Sequence, residues 1–167
     1  MTPQQIAIVQ DSFKKVAPTA AIAADLFYDR LFAIAPDVRP LFPDDLREQK
    51  RKLMTMLAAV VTNLHKIEEM LPAIQDLGRR HVNYGVTAEH YERVGEALLW
   101  TLEQGLGDEF TPSVKAAWAE AYTVLSGAMM SAAVTVQPAG IAAAVSMPAG
   151  LASQPQSCQP QSCQPQS

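Results

Sequence analysis

The sequence is short of the residues that cross-link and catalyse. Its two cysteines, Cys158 and Cys163, both lie in a repetitive C-terminal stretch of the 167-residue chain. Two thiols so placed cannot complete a structural zinc site. In a reducing cytosol they are expected to be inert repeat residues rather than cross-links. Histidine is scarce as well. His65, His81 and His90 belong to no H-E-x-x-H or C-x-x-C array, which excludes the common zinc-enzyme patterns. There is no glycine-rich phosphate loop and no G-x-S-x-G elbow. Positive charge is in deficit, with 13 Lys and Arg against 17 Asp and Glu. Nucleic acid is therefore not an expected partner, because its phosphates need a basic face. No N-terminal run has the charged and apolar regions of a signal peptide, so the cytoplasm is the expected location. No stretch alternates with period two, so no strands are expected.

Helical patterns fill the space these absences leave. Thr2 and Pro3 form a cap and first position for a helix to Val16, with Ile6, Val9, Phe13 and Val16 on one face. A second helix is expected from Ala20 to Ile34, stopped by Ala35-Pro36 because a residue before proline disfavours helical geometry. Pro36, Pro40 and Pro43 then frame a corner around Leu41 and Phe42. A long helix is expected from about Asp45 to Lys66, with Leu46, Leu53, Leu57, Val60, Val61 and Leu64 aligned and Gln49 on the same face as Leu53. Pro72 is expected to begin a short helix that carries His81 and ends at Gly85. Thr87 caps the next, to about Leu106, and Thr111-Pro112 opens a last helix to about Val134. The reading is an all-α folded domain over residues 1–136. From 137 the composition turns to Ala, Gly and Pro, then to repeated Gln-Pro-Gln-Ser-Cys, so 137–167 is expected to be a low-complexity, disordered tail. No charged residue follows Glu120, but Pro138, Gly140, Pro148 and Gly150 interrupt the run, so a membrane span is not expected.

From the residues alone, His65 and His90 read as surface histidines. His81 is either an ordinary helical histidine or a metal ligand. A strandless multi-helix domain has room for a large group at its centre, and haem is one candidate. A neutral imidazole suits haem iron, provided its second ring N–H finds an acceptor. The Leu77 carbonyl, one turn earlier, is placed to be that acceptor. Arg79, Arg80 and Lys52 are either haem-propionate partners or solvated cations.

Several segments together resemble a known family. These are Leu31-Phe32-Ala33-Ile34-Ala35-Pro36 leading to Pro40-Leu41-Phe42, then Leu77-Gly78-Arg79-Arg80-His81, Tyr91 with Val94-Gly95, and Ala117-Trp118-Ala119-Glu120-Ala121-Tyr122. Over roughly residues 1–135 the chain resembles the globins, above all bacterial single-domain haemoglobins and the globin domain of flavohaemoglobins, with neuroglobin-like motifs too. The resemblance implies a three-over-three helical sandwich around haem, with a short or absent D helix. It implies His81 as the proximal iron ligand and Phe42 as the ring stacked on haem. It also implies Gln49 as the distal residue, Leu53 over the iron, and Tyr28 facing the bound ligand. Leu77, Val86, Tyr91 and Val94 would complete the haem contacts, with Lys52 and Arg80 near the propionates.

Those assignments imply a function. Tyr28 and Gln49 are two neutral donors that could hydrogen-bond O₂ as charge moves onto it, each bond worth about 1.5–3 kcal/mol. That corresponds to roughly tenfold to hundredfold slower release per donor. Tight but reversible O₂ binding at a five-coordinate b-type haem is therefore expected, with NO and CO as further ligands. One departure bears on the alternative. The family's proximal tyrosine is matched by Tyr91, but its supporting glutamate aligns near Ala133, which weakens electron push toward oxygen. The alternative is a nitric oxide dioxygenase fed by a separate electron-donating reductase. A haem-based sensor ranks last. The assembly is expected to be a monomer or homodimer.

Overall fold

In the computed structural model the backbone is described for residues 1–145 and side chains for residues 1–134. Among the described residues there are six α-helices and no strand, so the all-α expectation holds. The first, α1, spans Pro3–Val16. It opens with a reciprocal cap: the Gln5 N–H donates to Thr2 Oγ1 at 3.2 Å and the Thr2 N–H to Gln5 Oε1 at 2.8 Å. A single 3-10 turn (Ala17–Thr19) leads into α2, Ala20–Ile34, which stops where Pro36 follows. Pro36–Leu41 winds as a 3-10 segment, and residues 42–46 are non-helical, so no separate helix stands between the corner and α3.

Four helix boundaries differ from the expected ones. The third helix, α3, spans Arg47–Thr62 rather than starting at Asp45, because Asp45 stands outside and accepts the Arg47 N–H at 3.0 Å. Leu64–Lys66 form a separate 3-10 turn. The fourth, α4, spans Ile67–Asn83, with Pro72 inside it rather than at its start. Proline there removes one backbone bond, to the Glu68 carbonyl. Ile67 and Met70, before the proline, pack against the core, and their burial offsets that loss. Gly85 (φ +80°) follows, as expected for a turn after a helix. α5 spans Ala88–Leu106 behind its Thr87 cap. α6 begins at Pro112 and continues to Val145, past the expected stop near Val134. The expected 136/137 boundary thus falls within α6, while residues 146–167, including Cys158 and Cys163, lie outside the described residues.

The helices pair in a way that leaves two separate cores. α2 packs on α5 and α3, α1 on α6, and α4 on α6. The large core joins Val9, Phe27, Tyr28, Leu31, Leu64, Leu102 and Trp118 from α1, α2, the turn after α3, α5 and α6. The small one is Ile74, Tyr91 and Met129, with Leu77, Val86 and Leu125 against it. The α1–α6 crossing is pinned where the Trp118 indole N–H donates to Ser12 Oγ at 2.9 Å and Ser12 donates onward to the Ile8 carbonyl at 2.7 Å. The α4–α6 crossing depends on Gly78: a Cβ there would lie 2.7 Å from Met129 Cα. Among the described residues no helix is long and apolar enough to cross a membrane.

Candidate functional site

His81 lies in the last turn of α4, half-buried beside the small core. Its Nδ1 lies 2.8 Å from the Leu77 carbonyl oxygen. A carbonyl can only accept, so Nδ1 carries the proton and Nε2 keeps its lone pair. Burial pushes the His81 pKa below its ordinary value, so the ring is held neutral. Tyr91 stacks on the imidazole, with centroids 6.2 Å apart and planes 24° apart, and Tyr84 meets it edge-on at 6.0 Å. The Tyr91 carbonyl accepts the Tyr122 hydroxyl at 2.6 Å, which fixes the start of α5 on α6. The support Tyr91 gives His81 is thus a stacked ring, while the hydrogen bond comes from the backbone.

The other half of the site belongs to α2, α3 and the corner. Tyr28 is only 2% exposed, and the Gln49 side chain lies beside it. Burial pushes its pKa up to about 12, the neighbouring Gln49 amide offsetting only part of this, so the hydroxyl keeps its proton at neutral pH. Around it stands an aromatic cluster: Phe27 meets Tyr28 edge-on at 5.1 Å, Phe42 meets it edge-on at 5.6 Å, and Phe42 meets Phe32 at 5.6 Å. Leu53 packs against the same core and lines an apolar cavity of about 20 Å³ with Phe27, Leu57 and Leu98. Tyr28, Gln49, Phe42 and Leu53 are therefore brought to one region, and His81, Leu77, Val86 and Tyr91 to the other. Val94 packs on the large core rather than the small one.

The cations are placed less distinctively. Arg80 is exposed and bonds Asp76 at 2.5 Å, Arg79 approaches the same carboxylate at 3.9 Å, and Lys52 is exposed. His65 is exposed, as expected. The surface reading of His90 is corrected: its side chain is only 15% exposed, and both ring nitrogens are engaged, by the Thr87 N–H and by Asp37. Arg39 also escaped the sequence reading. Its guanidinium lies 5.0 Å over the Phe32 ring and donates to the carbonyls of Phe42, Pro43 and Asp44 at 3.4, 3.0 and 3.3 Å. The available signal was a proline-framed corner rich in carbonyls needing a donor.

One half-buried imidazole with its Nε2 unengaged stands on α4, and a buried tyrosine beside the half-buried Gln49 stands among aromatics on α2 and α3, all within an all-α domain. The globin family model matches residues 25–129, and the chain belongs to the globin family. It is 31% identical over 107 residues to a flavohemoprotein of Bacillus subtilis strain 168, a match covering 62% of this chain and 27% of that protein. The chain thus spans little more than a quarter of that relative's length. The expected fold class stands, and the donor set fits the prosthetic group of that family: a neutral nitrogen for iron, an aromatic edge at Phe42, and apolar walls.

Proposed function

We propose that this chain binds one b-type haem through His81 and holds O₂ tightly but reversibly, in oxygen supply or storage. The observation that carries the reading is the buried Tyr28 side chain beside Gln49 within an aromatic cluster. Bound haem would supply an iron centre with one open position for a diatomic ligand. His81 would donate Nε2 while the Leu77 carbonyl holds its tautomer and ring plane. Tyr28 and Gln49 would turn their donors toward the ligand. Glutamine is a poor iron ligand, so Gln49 leaves the position open. Phe42, Leu53, Val86 and Val94 would exclude water from the macrocycle, and Lys52 and Arg80 would meet its propionates at the exposed edge.

The acceptor behind His81 favours holding oxygen over cleaving it. A carbonyl is neutral and gives the imidazole less anionic character than a carboxylate would, and the residue near the family's glutamate position is Ala133. The rival reading is a nitric oxide dioxygenase supplied by a separate reductase, motivated by the flavohemoprotein relative. The test is to load the protein with O₂, add NO, and follow nitrate formation and re-reduction by cell reductases. The account expects one stoichiometric conversion and slow recovery. Rapid, sustained turnover would replace storage with catalysis. The cytoplasm and a monomeric or dimeric state complete the proposal.

A further inference from the structure

We propose that Asp37 and His90 form a clasp between the segment leading to Phe42 and the segment after His81, and set how fast haem leaves the protein. The inference rests on the haem reading above. His90 Nδ1 accepts the Thr87 N–H at 3.1 Å, so in the neutral ring Nε2 carries the proton. Nε2 then donates to Asp37 Oδ2 at 2.9 Å, joining residues 53 apart in sequence. Asp37 stands in the first turn of the 3-10 segment that leads to Phe42. Thr87 follows Val86, whose N–H donates to the His81 carbonyl at 3.1 Å. The bond therefore ties the segment bearing Phe42 to the segment after His81. A second approach lies across the same gap: a Cβ on Gly85 would stand 4.0 Å from Leu41 Cδ2.

The geometry is unlike that of the exposed pairs along single helices, such as Lys14–Asp11, Arg51–Glu48 and Arg80–Asp76. Those join neighbouring turns and restrain little. Here one ring uses both nitrogens, so it cannot swing from Asp37 without also disturbing the Thr87 N–H that it caps. The surrounding charges reinforce the bond. The His90 hydrogen bond foremost, with Arg93 from the next turn of α5, holds Asp37 below the usual carboxylate range. Arg93 is itself held between Glu89 and Glu96. Asp37 is 69% exposed on its side chain, so replacing it leaves the core and the Thr87 cap untouched.

Haem transfer from the loaded protein to an excess of a haem-scavenging apoglobin, followed at the Soret band, tests the clasp. Asp37→Ala and His90→Ala are expected to speed haem release about three- to tenfold, with Asp37→Asn in between because its oxygen still accepts. The double Ala variant should release haem no faster than His90→Ala alone, since both changes remove one interaction. Lys15→Ala breaks a different inter-element ion pair, with Glu109 at 2.7 Å, and should keep the wild-type rate. Equal release from Asp37→Ala and wild type, additive effects in the double variant, or equal acceleration by Lys15→Ala would overturn the clasp alone. A wild-type chain that gains no Soret band would overturn the haem reading, and the clasp with it.

Discussion

The two halves of the site are built differently. Tyr28, Phe27, Phe32, Phe42 and Leu53 stand in or against the large core, where ring packs on ring and Gln49 lies beside the Tyr28 side chain. His81 stands beside a core of three buried residues, on a helix held to α6 by the close approach at Gly78 and oriented by one backbone carbonyl. The first half is stiff because many contacts share the load. The second is specific because one atom, Nε2, is left free. Damage should therefore spread differently: a change among the aromatics should tune ligand release, whereas a change at His81 or Gly78 should decide whether the group is held at all.

The largest expected effect is at the single-atom half. His81→Ala should abolish stable haem uptake, read as loss of the Soret band in protein purified with added haemin; uptake equal to wild type would show that the iron binds elsewhere. Next comes Gly78→Val, which forces side-chain atoms into the Met129 backbone. It should cost about 1–3 kcal/mol of stability in denaturant unfolding. At the aromatic half, Tyr28→Phe should keep haem but speed O₂ release by at least about tenfold in stopped-flow measurements. Tyr28 also fixes an alkaline limit. Its folded pKa, about 12, lies above the ordinary value of 10.0, so the folded state holds this proton more tightly. Its contribution is fully present below pH 10.0 and is lost as pH rises toward about 12. Tyr28→Phe should flatten the fall in stability over that window. The smallest effects belong to the exposed cations: Arg80→Ala and Lys52→Ala should change stability by less than about 1 kcal/mol.

The same contrast explains what could be read from the chain. Local signals were legible: Thr2 with Pro3, Thr87 and Thr111-Pro112 mark helix starts through caps that involve adjacent residues. The Leu77–His81 bond follows from helical spacing and is found at 2.8 Å. Long-range chemistry was not legible. The His90–Asp37 bond spans 53 residues, and nothing in Ala88-Glu89-His90-Tyr91 separates a capping histidine from a solvated one. Pro72 misled because a proline near a helix start is the usual pattern, and only the packing of Ile67 and Met70 shows that the helix begins before it. Arg39 was hidden because its partners are carbonyls, which every residue carries. The length of α6 was missed because Pro138 and Gly140 read as a stop, yet the helix passes through them.

The central claim is that His81 offers one nitrogen to haem iron while Tyr28 and Gln49 leave the opposite position open. The visible spectrum of the reduced, haem-loaded protein before and after CO tests it most directly. The account predicts a broad five-coordinate ferrous band that sharpens and shifts on CO, and is missing from His81→Ala. A six-coordinate spectrum before any ligand is added, or the same band in His81→Ala, would contradict it.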